Sequence, residues 1–381
     1  MTRAPVPFQI GDPINARILA VSEDKIQGFQ REPLQEIARQ AGLETPQVIE
    51  RIQAMLRAKT IRRVRQTLMA TNLAPGALVA WQVPAERIDS AFDYMFQQDP
   101  FSGHVVLRSA DPATPGATYK LWTTLKVPQG YSMRKHCEFL LRQTGAEHFR
   151  LMPAKRLFAL GVGHVRRRGM PVGSKAEVPA EAMGVEVVRL NELEWRVLMA
   201  LKREFEPEEL CENPWEPRSR QAGVTPETFC EVAENLNRRK VIGRFSTFLE
   251  HVKPLADGER VTRFNALFHW AVPPGREIEA GCEVGRHHIL THAYWREGGP
   301  EFRSVNIMAV AHGMERDLVL QHKEAIDRHL KQIGIPVSYT NVFWGGRSEI
   351  KPSEISPFAY CDWCAKVGLA PESMRAEQEG R

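Results

Sequence analysis

The stretch QAGLETPQVIERIQAMLRAKTIRR, Gln40–Arg63, has a counterpart in QAGVTPETFCEVAENLNRRKVIGR, Gln221–Arg244. Gln-Ala-Gly matches at the head of both. Glu50, Lys59, Ile61 and Arg63 then align without a gap with Glu231, Lys240, Ile242 and Arg244, all at an offset of 181 residues. Further on, ALVAWQVP (Ala77–Pro84) meets ALFHWAVP (Ala266–Pro273), with five of eight letters shared. Two matches in the same order identify the chain as two copies of one unit.

Each copy opens on helices. In the first, Leu34, Ile37, Ala38 and Ala41 recur at helical spacing and stop at Gly42. Thr45 ahead of Pro46 is a helix start, and Val48, Ile49, Ile52, Met55 and Leu56 form the apolar face that follows. Helix, glycine turn, helix and the short strand TIRRV (Thr60–Val64) make the order of a winged helix-turn-helix. In the second copy ENPWEPRSRQAG carries Pro214 and Pro217 where a helix interior is expected, which predicts a broken helix and disfavours DNA as a partner.

The remainder of the second copy reads as strand (Arg263–Val272), short helix, strand (His288–Arg296), a glycine-proline turn, strand (Arg303–Ala311), helix (Glu315–Gln332) and strand (Val337–Trp344). That is βαββαβ, the ferredoxin-like order. The predicted class is therefore α+β, two tandem copies of a winged helix-turn-helix followed by a ferredoxin-like domain. Boundaries fall at 14–65 and 66–165 for the first copy, 171–184 for a linker, and 186–247 and 260–345 for the second. A tail, 346–381, carries CDWC.

Composition limits the function classes. Hydrophobic content of 43% and charged content of 25% are those of a globular protein. No apolar run is long enough to span a bilayer, and the start, MTRAPVPFQIGDPINARILAV, lacks a signal-peptide core, so a cytoplasmic protein without membrane contact is expected. The net charge of +5 gathers in IRRVR (Ile61–Arg65) and HVRRRG (His164–Gly169), which suit nucleic acid or a carboxylate-rich small molecule. Of six cysteines, Cys361 and Cys364 form the one C-x-x-C, and no second pair completes a four-thiolate zinc site. A reduced thiol pair is the expectation.

Four of the twelve histidines lie between His287 and Met314. Period-two alternation puts His288, Leu290, His292, Tyr294 and Arg296 on one face of their strand, and Asn306, Met308, Val310 and His312 on one face of the next. If the intervening turn pairs the strands, one face carries imidazoles, a phenol and a guanidinium around an apolar centre. Such a face suits a large flat ligand with acidic edges, since imidazole ligates iron and guanidinium grips carboxylates. Aligning FSGHVVLR (Phe101–Arg108) with GRHHILTH (Gly285–His292), an offset of 184, puts His104 at His288, Arg108 at His292 and Pro128 at His312. On that register the first copy keeps the scaffold and loses the constellation, leaving one competent site with the first half as its partner.

These residues resemble a known family. Paired helix-turn-helix and ferredoxin-like halves are the architecture of Lrp/AsnC-type regulators. THAYWREGGPEFRSVNIMAVAHGM (Thr291–Met314) and ALFHWAVP are more similar to siroheme decarboxylases of the Ahb and Nir type, here as a fused two-copy chain. Their pattern, H-x-Y-x-R, a proline-rich turn, then Y-N-hydrophobic-x-A-x-x-H-G, is met by His292, Tyr294, Arg296, Asn306, Ala309, His312 and Gly313, with Val305 in place of the aromatic. The resemblance runs from about Asn15 to Trp344. It implies removal of CO2 from two acetate side chains of siroheme, in haem or haem d1 biosynthesis, with no organic cofactor. It further implies a pseudo-dimer of the two halves, with higher oligomers open.

Under that resemblance His292 or His312 approaches the iron or donates the proton, and Arg296 holds a carboxylate. Tyr294 and Asn306 orient the substrate, with His288 and Arg108 as further contacts. The chain departs from the family in its first half, in KRLFALGVGHVRRRG (Lys155–Gly169), in GGRSEIKPSEISPF (Gly345–Phe358) and in CDWC. Those departures keep open a haem- or tetrapyrrole-binding sensor or regulator without decarboxylase activity.

Overall fold

The computed structural model describes residues 6–69, 72–161, 169–184, 188–250, 258 and 261–376. Residues 164–168 of the second basic cluster, and the expected boundaries 165, 186 and 260, lie outside these.

The first copy runs α1 (Pro13–Ser22), α2 (Pro33–Ala41), α3 (Thr45–Arg57), β1 (Ile61–Leu68), β2 (Gly76–Gln82), α4 (Ile88–Gln97), β3 (Ser102–Ser109), β4 (Leu121–Lys126), α5 (Met133–Thr144), β5 (His148–Pro153) and β6 (Arg156–Leu160). The second runs α6 (Glu192–Lys202), α7 (Trp215–Ala222), α8 (Pro226–Arg238), β7 (Ile242–Leu249), β8 (Phe264–Ala271), α9 (Glu277–Gly285), β9 (Leu290–Trp295), β10 (Ile307–Gly313), α10 (Arg316–Gln332) and β11 (Tyr339–Ile350). A last helix, α11 (Pro357–Lys366), follows.

The chain divides into two compact units. One gathers the helical segments of both copies. Its two helix pairs turn on Gly42 (φ +63°) and Gly223 (φ +67°), left-handed positions that a side chain would strain. β1 and β7 pair antiparallel, Val64 opposite Thr247, and join the two copies. The expectation of a broken helix in the second copy is corrected. Pro214 is the N-cap of α7 and Pro217 sits in its first turn, where backbone N–H groups have no intrahelical acceptor to lose. Trp215 at the head of that helix donates from Nε1 to Gln30 O (2.8 Å) and packs on Phe29 of the first copy. The polar side of α3 is engaged within the unit, with Gln53 donating to Leu210 O (3.0 Å) and Arg57 paired with Glu208 (3.1 Å).

The other unit holds both βαββαβ segments in one run of strands, β5-β2-β4-β3-β11-β8-β10-β9-β6. Within each half the strand order is fourth, first, third, second. Only Ala154 and Lys155 separate β5 from β6, so the two are one bent strand and the run closes on itself. The first part of β11 pairs with β8 of its own half, and the second part pairs with β3 of the other. Likewise β5 pairs with β2 and β6 crosses to β9. Each half therefore lends its last strand to its partner.

Alternation sorts the side chains into three layers. Val79, Trp81, Phe92, Leu121 and Leu140 pack between the first sheet and α4 and α5, joined by Tyr360 and Trp363 of α11. Phe268, Trp270, Ala309 and Ile326 do the same under α9 and α10. Leu78, Val106, Trp122, Met152, Leu267, Met308, Phe302 and Phe343 fill the layer between the two sheets. The segment expected as a linker is not free: Met183 bridges to Leu157 and Lys175 to His287. The expected tail is likewise a packed helix on the first half. Among the described residues no helix is long and apolar enough to cross a membrane.

Candidate functional site

His292, Tyr294 and Arg296 leave β9 on the face that looks into the layer between the sheets, where Tyr294 lies opposite Met308 and His292 opposite Val310. His312 stands at the end of β10 opposite Asn265. The register slips between Val310 and Ala311. This bulge inserts Thr291 and inverts the alternation N-terminal to it, so Leu290 joins the outer core. His288 therefore does not share the His292 face, against expectation. Its Nδ1 meets Ser174 Oγ (3.0 Å) in the former linker.

The bulge brings Thr291 Oγ1 between two imidazoles. It lies 3.0 Å from His292 Nδ1 and 3.4 Å from His312 Nδ1, and donates to Val310 O (3.2 Å). His312 Nε2 is 3.0 Å from Asn265 Nδ2, and Arg108 Nη1 donates to Asn265 Oδ1 (3.1 Å). Because guanidinium only donates, Asn265 must turn its oxygen to Arg108 and its NH2 to His312. That amide then donates to Nε2, which puts the His312 proton on Nδ1, facing Thr291. The hydroxyl has given its own proton to Val310 O, so it accepts from both rings.

The chain of contacts continues past His292. Its ring stacks on Tyr294 (6.2 Å, 11°), and the Arg296 guanidinium lies 4.4 Å over the Tyr294 ring. Arg296 Nη1 donates to Met152 O of the first half (2.6 Å). Arg108 and Arg296 are buried, while both histidines and Tyr294 are half-buried. Burial pushes Arg108 down to about 10, lowers Arg296 and raises Tyr294. Both arginines remain cations near neutrality, held where water screens them weakly.

Strand pairing also revises the comparison of the two copies. Leu78, Thr124 and His104 form one row across the first sheet, and Leu267, Val310 and His292 form the matching row across the second. The offset along this strand is thus 188, not 184. His104 occupies the place of His292, Arg108 that of Arg296, and Lys126, opposite Gly76, that of His312 opposite Asn265. The first half keeps the histidine and the arginine of the constellation. Arg108 reaches Phe343 O (3.5 Å) as Arg296 reaches Met152 O, so each arginine crosses to the last strand of the other half. His104 Nε2 meets Ser348 Oγ (2.7 Å).

Asn306 is not turned to the site. Its amide clips Val272, accepting from N and donating to O (both 2.9 Å). Cys361 and Cys364 lie on α11, on the outer side of the first sheet. Cys361 Sγ is 2.9 Å from Tyr131 OH, and burial pushes Cys364 up to about 11. All six cysteines are free thiols, and no cluster of three or more His, Cys, Asp or Glu among the described residues could hold a metal ion. Sequence reasoning missed Asn265 and Thr291. The first was legible as the polar residue heading ALFHWAVP; the second depends on a bulge with no compositional mark.

Residues 73–159 match the family model described as the AsnC-like ligand binding domain. The fold is similar to that of the siroheme decarboxylase NirDL, with a TM-score of 0.64 at 18% identity over 93% of this chain and 99% of that one. It is similar also to NirDL in complex with an iron-uroporphyrin III analogue, with a TM-score of 0.63 at 17% identity over the same shares. No protein of curated function matches by sequence.

Proposed function

We propose that the protein binds an iron tetrapyrrole on the inner face of β8, β9 and β10 and decarboxylates it, with siroheme as substrate and didecarboxysiroheme as product. The observation that carries this reading is the continuous line Arg108–Asn265–His312–Thr291–His292–Tyr294–Arg296. It sets two buried cations at the ends of a row holding two half-buried imidazoles and a phenol. Guanidinium groups are the side chains suited to grip the carboxylates at a macrocycle's edge. The likeness of the fold to NirDL supports the same substrate class.

Loss of CO2 breaks the bond between the carboxyl carbon and the side-chain methylene and leaves its electron pair on the methylene carbon. A proton must then be delivered to form the methyl group. In this reading His292 or His312 delivers it, while Arg108 and Arg296 hold the carboxylates not undergoing reaction. Against duplex DNA as the main partner stands the engagement of Gln53 and Arg57 on α3 by the second copy.

Anaerobic incubation with siroheme, followed by absorbance and mass analysis of the pigment, tests the reading. Stepwise loss of CO2 is expected, and His292→Ala and Arg296→Ala should abolish it while the protein stays folded. A shifted spectrum with unchanged mass would instead establish a tetrapyrrole binder. Full turnover in both variants would remove the assignment.

A further inference from the structure

One imidazole on this sheet face takes no part in the line of contacts. His269 stands on β8 between Met308 of β10 and Asn341 of β11. It is wholly buried, and neither ring nitrogen has a hydrogen-bond partner among the described residues. Asn341 is its polar neighbour and favours the charged form, but closes no hydrogen bond with it. That amide spends Nδ2 on Tyr339 OH (3.2 Å) and leaves Oδ1 unmet. The remaining surroundings are aromatic, with ring centroids of Phe343 at 5.2 Å and of Trp122 and Phe302 at 6.2 Å.

Leaving a buried polar group unmet costs on the order of 1–3 kcal/mol. The fold does not demand this one, since Ala80 fills the matching place in the first half, opposite Trp122 as His269 is opposite Met308. Burial pushes His269 down to about 3, so the ring is neutral near pH 7 and keeps one lone pair for an acceptor of electrons. His312 differs in this respect, because Asn265 and Thr291 meet both its nitrogens, while Thr291 meets His292 at Nδ1. A neutral imidazole nitrogen with its lone pair uncommitted can ligate iron.

Phe302 meets the His269 ring edge-on. It belongs to the β9–β10 connection, which turns at Gly299 (φ +74°) and continues through Arg303 (φ +53°) and Ser304 (φ +55°). Two consecutive left-handed non-glycine residues store strain that the packing of Phe302 offsets, at about 1–3 kcal/mol each.

We infer that His269 is the axial nitrogen ligand to the iron of a tetrapyrrole bound on this face, and that the macrocycle displaces the Phe302 ring on entry. The inference rests on the tetrapyrrole reading above. It is tested by anaerobic titration of the full chain with iron uroporphyrin III and with metal-free uroporphyrin III, read by Soret absorbance and electron paramagnetic resonance. The wild type should bind both and show nitrogen ligation with the iron form. His269→Phe should lose that signature and about ten-fold or more in affinity for the iron form, with metal-free affinity nearly unchanged. His269→Ala should regain the signature when imidazole is added, and Phe302→Ala should take up both porphyrins faster.

A wild-type signature in His269→Phe, or its loss in His292→Ala or His312→Ala instead, overturns the assignment and leaves tetrapyrrole binding intact. Should His269→Phe fail to fold, imidazole added to His269→Ala decides, and no rescue overturns the ligand role. Unchanged uptake by Phe302→Ala removes the displacement step. Binding of neither porphyrin by the wild type overturns the tetrapyrrole reading together with this one.

Discussion

Asn265 sets the tautomer of His312. Its oxygen answers Arg108 and its NH2 answers His312, which fixes the imidazole proton on Nδ1. Asn265→Asp keeps the acceptor for Arg108 and removes the donor, so His312 should move its proton to Nε2. Nitrogen NMR of labelled histidine reads that change directly, and the proposed decarboxylation is expected to fall at least about ten-fold. Asn265→Leu removes both partners and should in addition cost about 1–3 kcal/mol, measured by urea denaturation, because Arg108 is left with Phe343 O alone. At this scale the alternation of His292, Tyr294 and Arg296 was readable in the sequence. The position of His288 was not, because one inserted residue at Thr291 inverts everything before it. Aligning the copies on Gly-His letters hid the correspondence of His104 with His292; only hydrogen-bonded rows settle a register.

Among the elements, the inter-sheet layer is filled by large side chains from both halves. Trp122 on β4 donates from Nε1 to Tyr119 O (2.7 Å) and touches Phe302 and Phe343 of the second half. Trp122→Ala should cost about 3–5 kcal/mol, with a lower urea midpoint and a dye-accessible interior. A midpoint within error of wild type would mean that the layer is not a packed core. The order of strands and helices was legible from periodicity and from the repeat. The sharing of β11 and β6 between halves was not, since a strand that changes partners midway alternates like any other. Pro214 and Pro217 misled for a local reason: a proline breaks a helix only past its first turn.

The whole molecule responds to acid through groups far apart. Burial pushes His269, between the sheets, and His287, beneath the outer helices, from 6.5 down to about 3. An imidazole with a depressed folded pKa stabilises fully above its unfolded value and loses that contribution as pH falls toward the folded one. Stability should therefore decline from about pH 6.5 toward pH 3, each histidine contributing up to about 1.4 kcal/mol per pH unit. His287→Asn should flatten the decline in a pH series of urea midpoints, and an unchanged slope would place the acid sensitivity elsewhere. The two-copy plan at this scale was evident from Gln40 and Gln221 onward, whereas the docking of the C-terminal helix on the first half left no repeat to reveal it.

Two identical subunits would write every substitution twice. In this chain the layer between the sheets sets Trp122 of one copy against His269 of the other, while Met308 and Ala80 hold the reciprocal places. A symmetric pair would have to accommodate two indoles or two imidazoles across its axis. Covalent fusion frees each position to change with a different opposite number, so the two ends of the interior need not carry the same side chains.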